Sequence, residues 1–171
     1  MAYNPMYEPT DDNLFEVVGR YLYEWKYFYP DAQEIIPRNM QEALGKYVVI
    51  NAYVYDNHAG KIANRRSHSG IIIYDNNAPI IRYSKRQNTV EDSIFGLEFV
   101  ALRISTDMIE ALRCKIRYFG ILVEGPLEVF CDNMSVVKNL SIPTSPLNKR
   151  HSSICYHSVS EAQAAGIIRV G

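Results

Sequence analysis

The sequence predicts an α/β domain in which helices flank a mixed β-sheet, and three observations carry this prediction. A run of β-branched and aromatic residues from Tyr47 to Asp56 is typical of a buried strand. Two strand-like segments then flank Asn76-Asn77, which predicts a β-hairpin because asparagine tolerates the positive φ of a tight turn. A long segment with helical periodicity follows, and shorter helix-like and strand-like segments come after it.

The long helix is predicted over about Ser93–Phe119. Its apolar residues recur every three or four positions, which is the period of an amphipathic helix, and Gly120 is a natural C-cap. The apolar segment Leu127–Cys131 is typical of a short buried strand. Asp132 is then placed to cap the helix behind it.

The last elements are a helix from about Leu147 to Ala165, which Gly166 ends, and a strand formed by I-I-R-V. The predicted order is therefore three antiparallel strands, a long helix, a strand, two helices and a final strand. Such an order gives a mixed sheet covered by helices.

The composition excludes several classes of protein. The 171 residues suit one domain, and 47% hydrophobic with 22% charged residues is ordinary for a soluble protein. The net charge of −1 gives no bulk electrostatic reason to bind nucleic acid or membranes, so such binding would need local clusters. No apolar run approaches the roughly 20 residues of a membrane span, and the N-terminus resembles no targeting peptide. We expect a soluble protein without membrane insertion.

The three cysteines are widely spaced and form no C-x-x-C pair. Cys114, Cys131 and Cys155 therefore argue against a disulfide framework or a zinc site and favour a reducing intracellular compartment, which the sequence identifies no further.

Residues 1–46 are predicted to form an aromatic-rich N-terminal extension to a domain at 47–171. A short helix capped by Asp12 is expected over Asn13–Tyr23, followed by an arm interrupted by prolines. Disordered tails contain few aromatic residues. We therefore expect the extension to bury Trp25 and several tyrosines against the domain or a partner.

Three carboxylates are spaced as a two-metal hydrolase requires. Asp56 ends a predicted strand, Glu98 lies within the long helix among apolar residues, and Asp132 follows the next strand. Two metal ions held close together need such carboxylates to converge on one point. Taken singly, each has a structural alternative: a strand-end turn for Asp56, a solvated helix face for Glu98 and an N-cap for Asp132.

Five sequence blocks carry a resemblance to a known family. They are R-R-S-H-S-G-I-I-I-Y, A-P-I-I-R-Y-S-K-R-Q-N-T-V-E, F-G-L-E-F-V-A-L-R, F-C-D-N-M-S-V-V-K-N and K-R-H-S-S-I-C-Y-H. In this order, across residues 47–171, they resemble the ribonuclease H region of copia-type LTR retrotransposon polyproteins. The resemblance implies a ribonuclease H-like fold and an ancestral metal-dependent cleavage of RNA in RNA–DNA hybrids. The segment Trp25–Met40 also resembles the stretch that precedes that region.

The resemblance assigns site residues and exposes two departures. Glu98 and Asp132 match catalytic, metal-binding positions of the family. Where the family has V-D-A-N-H-A-G, this chain has V-Y-D-N-H-A-G, so Tyr55 stands at the first catalytic position and Asp56 is displaced by one residue. We expect Tyr55 or solvent, rather than Asp56, to face Glu98 and Asp132. The second departure is the end of the sequence at Gly171, before the family's final helix and its aspartate.

Polar residues near the hairpin form a candidate nucleic-acid surface, because such groups contact phosphates and sugar hydroxyls. A solvated loop surface is the structural alternative. Two histidines, His151 and His157, could act as bases, but a structural helix is the favoured interpretation. The candidate nucleic-acid contacts are Arg65, Arg66, His68, Lys85, Arg86, Gln87, Asn88 and Asn133.

Two functional hypotheses follow. The first is an inactive, domesticated domain whose metal positions at Glu98 and Asp132 are empty, which needs no cofactor and acts as a binding or structural subunit with protein partners. The second is an active ribonuclease H that uses Mg²⁺ and binds RNA or an RNA–DNA hybrid.

Overall fold

The computed structural model describes residues 24–45, 47–57, 67–87, 94–123, 125–143 and 153–171, without the side chains of Asn57 and Ile94. The helix predicted over 13–23, its cap Asp12 and the candidate residues Arg65, Arg66, Asn88 and His151 lie outside the described residues.

In the described part of the chain, seven strands form two sheets. The larger sheet has five strands in the order β4-β3-β2-β6-β7, in which β2, β3 and β4 are antiparallel neighbours and β6 runs parallel to β2 and β7. The smaller sheet pairs β1 with β5 in parallel. The strands are β1 (Tyr47–Val48), β2 (Ile50–Asn57), β3 (His68–Asp75), β4 (Ala78–Arg86), β5 (Leu122–Val123), β6 (Leu127–Cys131) and β7 (Ile168–Val170).

Three helices follow the predicted order: α1 (Ile94–Tyr118), α2 (Met134–Ser141) and α3 (Ser153–Ala164). Residues 24–28 are also helical. Gly120 and Gly166, predicted to end α1 and α3, have φ values of 75° and 70°, a conformation that favours glycine. Among the described residues, no helix is both long and apolar enough to cross a membrane.

The hairpin and one helix cap differ in detail from the sequence prediction. Asn76 alone of the two turn residues has positive φ, at 53°. Asn133, not Asp132, is the N-cap of α2, because its side chain accepts a hydrogen bond from the Ser135 N–H. Asp132 is therefore free of a capping role, which matters for the site below.

Strand alternation divides the five-stranded sheet into two faces. On β2, Ala52 and Val54 are buried whereas Tyr53 and Tyr55 are half exposed. The buried residues of β2, β3 and β6 join one hydrophobic cluster with α1, α2 and α3. We call this side the helix face and the opposite side the open face.

The arm at 24–45 packs against the helices. Trp25 is fully buried, as predicted, whereas Tyr27 is largely exposed. The Tyr29 hydroxyl hydrogen-bonds His157 Nδ1 on α3 at 2.8 Å, so His157 has the structural environment that was favoured for it. The Glu34 carboxylate binds the guanidinium of Arg113 on α1. The division of the chain at residue 46 stays a prediction.

Candidate active site

Two elements bring Glu98 and Asp132 together. Glu98 lies near the start of α1, which packs across β2, and Asp132 directly follows β6. Residue Cys131 ends β6 and pairs in register with Val54 of β2. Possible metal-ligating atoms of Glu98, Cys131 and Asp132 all lie within 4.8 Å of one another. A single bound ion could therefore contact the carboxylates of both Glu98 and Asp132.

The Glu98 carboxyl group is buried and carries a raised pKa of about 7. Burial is the largest cause, and the negative charges of Asp132 and then Asp56 add to it. Hydrogen bonds from Cys131 and from the backbone N–H of Asp56 oppose the rise. Glu98 is therefore poised to exchange a proton near neutral pH, as groups at functional sites often are.

Cys131 is a member of the cluster that the sequence interpretation missed. Its thiol lies 3.8 Å from Glu98 Oε2, and burial raises the pKa of the thiol to about 12. The thiol therefore stays protonated near neutral pH and donates a hydrogen bond rather than adding a charge. Its position before Asp132 at the end of a strand was the available signal, because odd cysteine spacing had excluded only disulfide and zinc sites.

Asp56 lies on the helix face, on the same side as Glu98. Its Oδ2 accepts hydrogen bonds from Ser69 Oγ at 3.0 Å and from Gln87 Nε2 at 2.7 Å. Ser69 is its register partner on β3, and paired residues of antiparallel strands lie on one face. The charge of Asp56 also raises the pKa of Glu98, so the two carboxyl groups interact.

Tyr55 lies on the open face, so the expectation that it faces Glu98 in place of Asp56 is wrong. A Cβ atom added to Gly70 would stand 2.1 Å from the Tyr55 ring, which places that ring directly over Gly70. The physical reason is strand alternation: Ala52 and Val54 face the core, and position 56 follows their parity rather than that of position 55. Asp56 is displaced along the chain but not away from the site.

The prediction that Gln87 contacts nucleic acid is wrong, because its side chain is buried and its amide forms hydrogen bonds within the protein. Besides Asp56, its Nε2 donates to Ser69 Oγ at 2.7 Å and to the Leu97 carbonyl at 3.2 Å. Gln87 therefore ties the end of β4 to β3 and to the start of α1. It positions Asp56 instead of meeting solvent.

The remaining candidate contacts lie at the surface. Lys85 pairs with Ser69 and hence shares the helix face with Asp56, whereas Arg86 pairs with His68 and lies on the open face. Both β4 side chains are exposed, and Asn133 is half-buried as the cap of α2. Their nucleic-acid contacts stay predictions.

The donor set fits one hard divalent cation and not two. Mg²⁺ is usually held by one or two carboxylates together with water and phosphate oxygens, which Glu98 and Asp132 can supply. A second ion needs further carboxylates, and Asp56 is not a member of the cluster in which the ligating atoms of Glu98, Cys131 and Asp132 lie within 4.8 Å of one another. The neutral thiol of Cys131 is a poor ligand for Mg²⁺.

Comparisons with known proteins agree with this architecture. No protein-family model matches the chain. It is 25% identical over 167 residues to the retrovirus-related Pol polyprotein from transposon RE2 of Arabidopsis thaliana, and 25% identical over 126 residues to that from transposon RE1. These alignments cover 96% and 74% of this chain but 11% and 9% of the relatives. The chain thus spans about a tenth of the length of the curated relatives it matches.

Among solved structures, the chain is similar to LC11-RNase H1, crystallised in complex with an RNA/DNA hybrid. The TM-score is 0.55 at 14% identity, over 71% of this chain and 83% of that one. This likeness shows the fold alone. Together, the comparisons agree with both predictions: the chain is similar in sequence to retrovirus-related Pol polyproteins, and its fold is ribonuclease H-like.

Proposed function

We propose that this ribonuclease H-like domain acts by binding an RNA–DNA hybrid at the sheet end that carries Glu98 and Asp132, and cleaves the RNA strand slowly or not at all. The observation that carries the proposal is the engagement of Asp56 by Ser69 and Gln87. Two-metal cleavage needs carboxylates that turn toward both ions. In this chain the third carboxylate, that of Asp56, lies outside the cluster formed by Glu98, Cys131 and Asp132, and its Oδ2 atom is held by the protein.

A single Mg²⁺ would be held by Glu98 and Asp132. When bound, the ion supplies positive charge beside a phosphate of the nucleic acid. Glu98 itself competes for protons, because its pKa of about 7 leaves a substantial fraction neutral at neutral pH. A partly neutral ligand weakens the site further, which supports binding rather than efficient catalysis.

Two features support a nucleic-acid ligand. Lys85 is exposed on the helix face of β4, within reach of the same end of the sheet, and can contact phosphates. LC11-RNase H1, with the same fold, was crystallised in complex with an RNA/DNA hybrid. Arg65 and Arg66, which the sequence predicts as nucleic-acid contacts, lie outside the described residues.

An active nuclease is the second candidate, and one observation favours it. Asp56 shares the helix face with Glu98, and its charge reaches the Glu98 carboxyl group. If Asp56 exchanged its hydrogen bonds with Ser69 and Gln87 for an ion, three carboxylates would converge.

Hybrid binding and cleavage by the full chain separate the two candidates. A fluorescein-labelled RNA–DNA hybrid is titrated with protein in EDTA and in Mg²⁺, and cleavage is followed on a denaturing gel. We expect binding in both conditions and cleavage no faster than that of Glu98→Gln. Lys85→Gln should weaken binding, whereas Lys115→Gln, at the other end of α1, should not. Fast cleavage abolished by Glu98→Gln and Asp56→Asn would establish the nuclease, and absence of hybrid binding would refute the proposal.

The variant Tyr55→Asp tests the geometry directly by restoring a carboxylate at the family's position. Because position 55 lies on the open face, we expect no gain of cleavage over Tyr118→Asp, a matched change on α1. A clear gain would show that β2 presents position 55, and not position 56, to the site.

A further inference from the structure

The open face of the five-stranded sheet carries a cluster of exposed aromatic side chains. Tyr53 and Tyr55 on β2 are 47% and 49% exposed, and Phe130 on β6 is 39% exposed. Tyr74 on β3 is partly exposed beside them. The described helices pack on the opposite face, where the buried residues of these strands lie. The rings therefore form a surface that the described part of the chain leaves open.

Three of the rings, those of Tyr74, Tyr53 and Phe130, form a continuous set across three strands. Tyr53 stacks on Phe130 with a centroid distance of 5.0 Å and an interplanar angle of 24°. Tyr74 meets Tyr53 edge-on at 5.6 Å. Tyr55 lies over Gly70, so the sheet supports one side of its ring while about half of the side chain stays in solvent. A rigid strand surface thus presents several π systems at low cost in side-chain entropy.

The charges on this face favour a polyanion. Arg82 pairs in register with Ile72, and Arg86 with His68, so both arginines lie on the open face, and both are exposed. Glu128, on the same face, is already paired with Arg169. Among the described strand residues of this face, two guanidinium groups thus remain without an acidic partner, in a chain of net charge −1.

We propose that the open face binds single-stranded nucleic acid, with bases stacked on Tyr53, Tyr55 and Phe130 and phosphates contacting Arg82 and Arg86. Stacking platforms of exposed aromatic side chains, flanked by basic groups, hold single strands with little sequence preference. This site is separate from the one around Glu98, because the two lie on opposite faces of the sheet. The inference does not depend on hybrid binding or cleavage.

Fluorescence anisotropy with single-stranded RNA and DNA probes of roughly 12 nucleotides tests the proposal on the full chain. Tyr53→Leu keeps an apolar side chain but removes the π face, and Phe130→Leu does the same on β6. We expect each to weaken binding by about tenfold, since a stacked base contributes on that scale. Arg82→Gln should reduce the slope of log K against log salt by roughly 0.7 for each phosphate that the protein no longer neutralises.

Two controls define the outcomes. Tyr118→Leu removes an exposed tyrosine on α1 and should leave binding unchanged, as should Asp107→Asn at an exposed position of the same helix. Equal affinity for RNA and DNA would identify stacking as the main interaction, and a preference for RNA would add hydrogen bonds to the 2′-hydroxyl; both support the site. No single-strand binding, or binding that Tyr53→Leu and Phe130→Leu both leave intact, would overturn it. A concentration-dependent dimer of the free chain that Phe130→Leu dissociates would also overturn it, in favour of a second copy.

Discussion

Glu98 is buried and Glu34 is partly buried in this domain, and the pKa values of their carboxyl groups are shifted in opposite directions. Glu34, on the N-terminal arm, has a lowered pKa although burial pushes it up, because Arg113 and Arg117 both bind it. Glu98, at the other end of α1, has a pKa raised to about 7 by burial and by the charges of Asp132 and Asp56. One site is compensated by cations and the other is surrounded by anions.

The opposite pKa shifts distinguish Glu34, which makes a structural contact, from Glu98, which belongs to the candidate site. Glu34 and Arg113 complete each other, and the Arg113 guanidinium also donates to the carbonyls of Gly125 and Ile167. That arrangement holds the arm to α1 and leaves nothing for a ligand to neutralise. Among the described residues, no cation contributes to the pKa of Glu98, which is the condition under which a bound cation lowers the free energy most.

Among the substitutions considered, removing the Arg113 guanidinium that binds Glu34 should lower the free energy of unfolding the most. Arg113→Ala leaves the Glu34 charge with Arg117 alone and removes the hydrogen bond that Arg113 donates to the Gly125 carbonyl, whereas the Ile167 carbonyl keeps the Leu127 N–H as a donor. Breaking a buried ion pair in this way costs about 3–5 kcal/mol of the free energy of unfolding. Urea denaturation at neutral pH measures it.

Arg103→Ala is the matched control on the same helix. Arg103 pairs with Asp107 at 3.9 Å, with both side chains well exposed, and such a pair contributes less than about 0.5 kcal/mol. Equal losses of stability for the two variants would contradict the distinction between a buried and a solvated ion pair.

The second prediction concerns Glu98→Gln, which removes the titratable carboxyl group of Glu98. In the wild type the folded state holds the Glu98 proton up to about pH 7, whereas the unfolded state releases it near 4.5. Between these values the native state binds more protons, so stability falls as the pH rises, by on the order of 3 kcal/mol in total. Glu98→Gln should abolish this fall and be more stable than the wild type at pH 8.

The contribution of Glu34 to stability depends on pH in the opposite direction, which provides a comparison within the same protein. Its lowered pKa stabilises the fold above the unfolded value of 4.5, and that contribution is lost as the pH falls through the folded value. The free energy of unfolding can be measured by urea titration from pH 4 to 8. In Glu98→Gln it should no longer fall as the pH rises toward 7, whereas the loss of stability at acid pH that Glu34 causes should persist. A wild-type curve that is flat between pH 5 and 7 would contradict the raised pKa of Glu98.

Asp132→Asn tests the larger of the two neighbouring charges. Asp132 is exposed and lies within 4.8 Å of Glu98, and its charge is the second cause, after burial, of the raised pKa. The variant should lower the pKa of Glu98, measured by carbon-detected NMR titration of its side chain, and should weaken the binding of Mn²⁺. Asp107→Asn, an exposed aspartate farther along α1, should leave the pKa of Glu98 unchanged.

Much of the fold could be predicted from the sequence because its signals are local. The period of apolar residues defined α1 to within a residue at each end, and the glycines that end α1 and α3 have the expected positive φ. The β1–β5 pair was not predicted, because two-residue strands carry no periodicity of their own. The capping of α2 by Asn133 was missed because Asp132 and Asn133 are both good N-cap residues.

The site was only partly predictable, because the register of the strands and the alternation of side chains between the two sheet faces determine which residues reach it. Glu98 and Asp132 followed from the resemblance, but aligning N-H-A-G without a gap placed Tyr55 in the site. Counting parity from the small apolar residues Ala52 and Val54 would have placed position 56 there instead. Gln87 could not be assigned, since its bonds to Asp56 and Ser69 depend on the register of three strands.

Asp56→Asn should have the smallest effect, and it decides what the displaced carboxylate still does. An asparagine Oδ1 can accept the hydrogen bonds that Ser69 and Gln87 donate, so the fold should be retained. The variant removes only the charge, which raises the pKa of Glu98 less than that of Asp132 does. We therefore expect a smaller drop in the Glu98 pKa than in Asp132→Asn, with Mn²⁺ affinity nearly unchanged. A loss of Mn²⁺ binding as large as that of Asp132→Asn would show that Asp56 gives up its hydrogen bond with Gln87 and holds the ion itself. The end of α1 that carries Glu98 would then differ from the end that binds Glu34 in catalysis as well as in charge.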